Sequence, residues 1–267
     1  QFAPGSQTGK DKAVHSACGV ADLFPAGKDV KSRPGFNPPL PESNPILLGR
    51  CENCRTVEFI SNDPPQPPHL GDHEPVRREC QVCHQPTMLV IDAREPKDFF
   101  TNLIPEDFEG QFEWTPRSTQ PTISFKAQTQ AQSADFITSV NDNNSAGGFD
   151  FQDAKIFGKE VGGAYTIELE NDYYVKPTGQ SYRIAQLSKR KTDILLVRIK
   201  NWPTGIFADP TTVEGRAAWY SFAFWLDIAA GVHLDVDPQE LQAGMRTILE
   251  NNIPTGEAFL SDRLENG

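Results

Sequence analysis

Long apolar runs, positive charge and cysteine are all scarce in this sequence of 267 residues. No uninterrupted apolar run reaches the roughly 18 residues of a membrane span. The nearest stretch, residues 217–232, follows Arg216 and is broken by Asp227. The formal net charge of −11 excludes a protein that coats nucleic acid with its whole surface. No secretory signal is recognisable at the start. We therefore expect a soluble, cytoplasmic protein with no membrane partner.

The motifs of ATP-driven motors are missing as well. The sequence has no G-x-x-x-x-G-K-[ST] loop and no Asp-Glu-x-His box, so this chain alone is not expected to be an ATP-hydrolysing enzyme. His233, Asp235 and Asp237 lie close together in the sequence and invite an acid–base interpretation. Asp237 is better explained as a helix cap and Asp235 as a solvated loop acid, since catalysis needs a positioned pocket.

Four of the five cysteines form two C-x-x-C pairs, Cys51 with Cys54 and Cys80 with Cys83. Each pair can present two thiolates to one ion, and two pairs complete a tetrahedral shell for Zn²⁺. Because four thiolates leave no position open for water, the predicted zinc is structural, and His84 beside Cys83 is not needed as a ligand. The alternative is two disulfides, which require an oxidising compartment.

The rest of the sequence predicts an α+β protein: a zinc-ribbon module followed by a mixed β-sheet body packed by two C-terminal helices. Residues 1–45 are rich in Pro and Gly and are interpreted as an arm or loop region. Residues 46–98 form the four-cysteine module, and 99–267 the body. The apolar run 193–199 is the best candidate for a central strand. The stripe at 218, 222, 225, 229 and 232 predicts a buried helix, and the start signal at 237–240 predicts a second helix that fades near 251–252.

Nucleic-acid contact has two candidate sites. Lys189, Arg190 and Lys191 form the densest basic run, which is either a phosphate clamp or a solvated face. Trp202 lies in a turn beside basic residues and is a candidate for stacking on a base. Trp219 and Trp225 fall in the helix that we expect to be buried, so core packing is the better explanation for both.

Several segments resemble a known family, the MZB domain that accompanies superfamily 2 DNA helicases. The segments are Asp193-Ile-Leu-Leu-Val, Trp219-Tyr-Ser, Leu234-Asp-Val-Asp-Pro-Gln-Glu-Leu and Phe259-Leu-Ser-Asp-Arg-Leu-Glu-Asn-Gly. The cysteine pairs and Ile91-Asp-Ala-Arg-Glu-Pro also resemble the segment before that domain in bacterial anti-phage systems of the DISARM and Druantia type. The resemblance covers residues 46–267 and implies a helicase-associated domain cut at its C-terminal end. In the MrfA type the metal cysteines lie at the end of the domain, so the zinc ligands here are inferred from their own spacing.

The resemblance implies a role and not a reaction. The first hypothesis is an accessory zinc-binding domain of a superfamily 2 helicase system in anti-phage defence, which assists DNA binding and motor assembly. Its partners are then single-stranded or duplex DNA and a motor, in the same polypeptide or as a separate subunit. The alternative is a protein–protein docking subunit or scaffold that binds a helicase without contacting DNA. The acidic balance of the chain favours this alternative.

Overall fold

The computed structural model describes residues 3–40, 46–60, 76–102, 104–108, 120–122, 136–143, 146–156, 161–166 and 175–263. The first strands within these ranges are β1 (Gln7–Lys10), β2 (Ala13–Val20), β3 (Asp22–Ala26), β4 (Asp29–Arg33), β5 (Phe36–Asn37), β6 (Leu47–Cys51), β7 (Val57–Phe59), β8 (Arg77–Arg78), β9 (Met88–Pro96), β10 (Phe99–Thr101) and β11 (Glu106–Asp107). They are followed by β12 (Gln120–Thr122), β13 (Phe136–Asn141), β14 (Phe149–Ile156), β15 (Val161–Thr166), β16 (Val175–Lys191) and β17 (Ile194–Val197). The C-terminal elements are helix α1 (Val213–Leu234), a 3-10 turn (Pro238–Glu240), β18 (Leu241–Glu250) and β19 (Ile253–Asp262). The described chain is thus mostly β-structure with one α-helix, which agrees broadly with the predicted α+β class.

One large sheet organises most of the chain. Its main path runs β1-β2-β15-β14-β16-β9-β6-β7, and shorter strands pair along its edges. Among the described strand pairs, β16 and β9 run parallel and the others antiparallel. The long β16 therefore joins the cysteine segment to the middle of the chain, and the sheet crosses the boundaries predicted near residues 45 and 98. Its core packs Phe36 edge-on against Phe151, with ring centroids 5.1 Å apart.

The C-terminal unit is a three-stranded sheet, ordered β17-β19-β18, with α1 packed on it. Trp219 is 1% exposed, lies on the sheet beside Met245 and Ala258, and donates its Nε1–H to the Ala208 carbonyl at 2.9 Å. The helix begins after Thr212, whose hydroxyl accepts from the Gly215 amide at 3.0 Å. This hydrogen bond satisfies one of the free amides in the first turn of α1.

The second C-terminal helix is a wrong prediction. The start signal at Asp237 does act, because its carboxylate accepts from the Gln239 amide at 2.8 Å, but it forms only the 3-10 turn. Residues 241–250 then pair as β18 with β19 through a two-residue turn in which Asn251 and Asn252 have φ of 51° and 62°. Two Asn at positive φ are typical of a type I′ hairpin turn. Tertiary pairing of ten residues outweighs the local helix signal.

Two further expectations about the fold are also wrong. Residues 1–45 do not form an arm, because their described part contributes β1 to β5 and places Phe36 and Leu40 in the core. Gly27 lies at positive φ in the turn between β3 and β4, so glycine here connects strands. The run 193–199 yields the edge strand β17 with Leu195 54% exposed, and β19 takes the centre of that sheet. An apolar run cannot by itself distinguish a central strand from an edge strand that packs on one face.

A candidate metal centre

The two C-x-x-C pairs lie at matching turns of neighbouring hairpins. Cys51 ends β6, and Cys54 occupies the turn that leads into β7. Cys80 and Cys83 occupy the turn between β8 and β9. Since β9 pairs with both β6 and β8, the two turns lie side by side at one end of the sheet. All four Sγ atoms lie within 4.8 Å of one another.

The backbone repeats the same hydrogen bonds in both turns. The amide of Cys51 donates to the Thr56 carbonyl, and the amide of Cys80 donates to the Gln85 carbonyl, at 2.9 and 2.8 Å. The residue after each second cysteine, Arg55 or His84, is left-handed, with φ of 61° and 55°. Their amides donate back to the carbonyls of the first cysteines. The two pairs thus have one conformation, which presents both sulfurs of a pair to the same side.

The sulfur geometry fits a tetrahedral thiolate shell. The distances from Cys51 to Cys83 and from Cys54 to Cys80 are both 3.6 Å between Sγ atoms. Tetrahedral Zn–S bonds of about 2.3 Å place neighbouring sulfurs about 3.8 Å apart. A disulfide would bring a pair to about 2.05 Å, and all four cysteines have free thiols. The cluster therefore has the donor set and spacing to hold one divalent ion.

The surroundings of the cluster favour negative sulfur. Backbone amides of Cys54 and Val82 donate to the Sγ atoms of Cys51 and Cys80, each at 3.4 Å. The hydroxyl of Thr87 lies 3.3 Å from Cys51 Sγ. The hydrogen bond with Cys54 lowers the pKa of Cys51 far below its ordinary value, and the same bond raises the pKa of Cys54. The amide and hydroxyl donors would stabilise thiolates, the form in which cysteine binds a metal.

Charge at the cluster also affects Glu58 in β7. Burial, together with the negative charge of Cys51, raises the pKa of the Glu58 carboxyl. A cation held by the four sulfurs would offset that repulsion, since a bound metal is the largest local charge in such a site.

Buried contacts connect the cluster to the C-terminal unit. Thr247 of β18 is 0% exposed and donates its hydroxyl to the Cys54 carbonyl at 2.6 Å. The hydroxyl of Thr56, 3.0 Å from Cys54 Sγ, donates in turn to the Thr247 carbonyl at 3.3 Å. The guanidinium of Arg216 in α1 donates to the Asn53 carbonyl in the first turn. The sequence did not predict the roles of Thr247, Thr56 and Arg216. Only Thr56 lies close enough to a cysteine in the sequence to have indicated a contact with the cluster.

Histidine does not join the four sulfurs in the described chain. His84 has a side chain that is 65% exposed and faces Glu79, 3.5 Å from Nδ1 to Oε1. The cluster of possible metal ligands contains cysteines alone. His69 and His73 lie outside the described residues.

The predicted nucleic-acid residues do not share one surface. Lys189 and Lys191 are exposed, and Lys189 Nζ lies 4.2 Å from the centre of the Phe59 ring. Arg190 lies between them on β16 and points to the opposite face, where its Nη2 donates to the Asp262 carbonyl at 2.6 Å. Trp202 packs edge-on against Trp219 at 4.9 Å between ring centroids. Arg190 thus connects β16 to the C-terminal unit, and Trp202 packs within that unit.

Trp225 also differs from the prediction, because it is exposed where a buried residue was expected. It was expected in the core with Trp219, yet it is 71% exposed. The helix covers the sheet with one face only, so its other face remains outside the core.

Comparison with protein-family models, with curated proteins and with solved structures finds no match to this chain. Among the described residues, no helix combines the length and the apolarity that crossing a membrane requires.

Proposed function

We propose that this chain is a structural zinc protein and that the four cysteines hold one Zn²⁺ in a zinc ribbon. The observation that supports this most directly is the convergence of four thiols from two turns of identical backbone conformation. With all four positions filled by sulfur, the ion supplies folding free energy and not a reactive water. Its role is to fasten the β6–β9 segment, which Thr247 and Arg216 then connect to the C-terminal unit.

The metal site is tested by elemental analysis of the purified chain. We expect one zinc per chain, and loss of zinc in Cys51→Ser and Cys80→Ser. Cys18→Ser is the matched control, because Cys18 is buried elsewhere, beside the carbonyl of Phe100, and should leave the zinc content unchanged. Purified chain without metal, with four thiols open to alkylation in the native state, would contradict the proposal.

We further propose that the zinc ribbon and its neighbouring sheets form an accessory, MZB-like domain of a superfamily 2 DNA helicase system in bacterial anti-phage defence. The support for this role is the resemblance of residues 46–267 to that family. In this role the chain assists DNA binding and motor assembly, and the motor belongs to a partner chain or to another part of the same polypeptide.

Lys189 and Lys191 are the candidates for DNA contact that carry exposed charge. The test is a titration of the chain with labelled single-stranded and duplex DNA over a series of salt concentrations. Lys189→Glu with Lys191→Glu should weaken binding and flatten its salt dependence, because each lost phosphate contact reduces the slope by about 1. Lys10→Glu with Lys12→Glu, an equal charge change at two exposed lysines at the end of β1 and in the turn after it, should retain the slope. Equal slopes in the three proteins would remove these lysines from the DNA surface.

The second candidate is a docking subunit that binds a helicase and leaves DNA contact to it. The net charge of −11 and the exposed side of α1 favour this role. Absence of DNA binding together with binding to a purified motor subunit would select docking.

A further inference from the structure

Helix α1 turns an apolar face to solvent. Phe224 and Trp225 are 57% and 71% exposed, and Ile228 and Val232 are 49% and 79% exposed. At about 100° per residue these four side chains fall within an arc of about 100°. The opposite side of the helix carries the buried Trp219. We call the arc of residues 224, 225, 228 and 232 the α1 outer face.

The exposed apolar area of the α1 outer face is larger than that of a single surface residue. An aromatic side chain offers about 150–250 Å², so Phe224 and Trp225 together leave roughly 250 Å² uncovered. Ile228 and Val232 extend this area along the same side of the helix. Single exposed apolar residues are ordinary, whereas a contiguous patch of several hundred Å² marks an interaction site. Aromatic residues at the centre of a patch are typical of binding hot spots.

Acidic residues outnumber basic ones in the helix that carries this face and in the segments next to it along the chain. Between residues 201 and 245 the only Lys or Arg is Arg216, whose guanidinium is engaged by backbone carbonyls. The same stretch has six acidic residues. They are Asp209 before the helix, Glu214 in its first turn, Asp227 within it, Asp235 at its C-cap, and Asp237 and Glu240 in the 3-10 turn that contacts it.

We infer that the α1 outer face docks a protein whose apolar surface is bordered by Lys and Arg. The acidic balance of this segment decides between the possible occupants. A nucleic-acid backbone and a second copy of this chain would each bring negative charge against it, whereas a basic protein surface is complementary. The inference rests on the docking role proposed above and names its surface and the chemistry of its partner.

The probe is a fluorescein-labelled amphipathic peptide of leucine and lysine, with a leucine–glutamate peptide of equal length and pattern as its control. Binding to the full chain is measured by fluorescence anisotropy. We expect the lysine peptide to bind, to bind more weakly at about 0.3 M than at about 0.05 M salt, and the glutamate peptide not to bind. Phe224→Ser with Trp225→Ser should weaken binding at least about tenfold while every acidic residue remains. Ile253→Ser, at the first residue of β19 and 64% exposed, should leave binding unchanged.

Circular dichroism of the variants confirms that each is folded, which the exposure of both aromatic residues predicts. Equal binding of the two peptides, or equal binding by the Phe224/Trp225 variant and the parent, would overturn the inference. Sedimentation of the chain as a dimer that the same variant dissociates would assign the face to a second copy and overturn it too. These results leave the zinc and DNA experiments untouched, so failure of the surface is distinguishable from failure of the proposed function.

Discussion

Replacing Thr247 by valine tests whether the cysteine cluster and the C-terminal unit form one cooperative structure. Thr247 is fully buried in β18, and its hydroxyl donates to the Cys54 carbonyl at 2.6 Å. Valine has nearly the same shape, so the substitution opens no cavity and removes one hydrogen bond. The Cys54 carbonyl then loses a donor at a residue that is itself 0% exposed. A buried polar group left without its partner costs about 1–3 kcal/mol, which is the expected fall in the free energy of unfolding.

The assay is urea denaturation of the zinc-loaded chain, followed by circular dichroism and by tryptophan fluorescence. Thr255→Val is the matched control on the same hairpin. Its hydroxyl reaches only the nearby Ile253 carbonyl, at 3.2 Å, and a change of less than about 0.5 kcal/mol is expected. We also expect Thr247→Val to release zinc faster to a chelator, because the carbonyl it holds belongs to a ligand cysteine. Equal unfolding midpoints and equal zinc release for the two variants would refute the reasoning.

Three further predictions concern the C-terminal unit. Gly256→Ala would place a Cβ against the atoms of the Trp219 ring. Thermal unfolding should therefore show that the free energy of unfolding falls by about 1–3 kcal/mol. An unchanged Tm would contradict this packing. Arg246→Met leaves the buried Glu257 carboxylate with one partner fewer. Urea denaturation should show a fall of about 3–5 kcal/mol in the free energy of unfolding. The double variant Arg246→Met with Glu257→Leu should recover much of that loss. Burial raises the pKa of Asp227, so its ionised form destabilises the fold above that pKa, and the penalty disappears as pH falls through it. Asp227→Asn should therefore raise Tm at about pH 7 and by less toward about pH 4, whereas a pH-independent difference would argue against it.

Patterns that depend on a few neighbouring residues were predictable from the sequence. A C-x-x-C turn fixes both sulfurs through local hydrogen bonds, so the spacing alone indicated a four-thiol cluster. The apolar stripe from 218 to 232 likewise predicted the helix that the structure shows at Val213–Leu234. Their identity as elements follows from short-range geometry, which the order of residues specifies.

Only the tertiary structure decided which face each element buries. Residues 241–250 carry a helix start signal, yet they become β18 because β19 offers ten residues of backbone pairing. Trp219 and Trp225 stand on the same apolar helix, and only contact with the three-stranded sheet makes the first 1% and the second 71% exposed. A separate tertiary contact, between β18 and the first cysteine turn, brings Thr247 to the cluster across nearly two hundred residues of chain. The sequence by itself determined the four-cysteine cluster and helix α1, since these depend on near neighbours. The fold determined how they are joined and which surface remains exposed, because burial depends on contacts between segments that are far apart in the sequence.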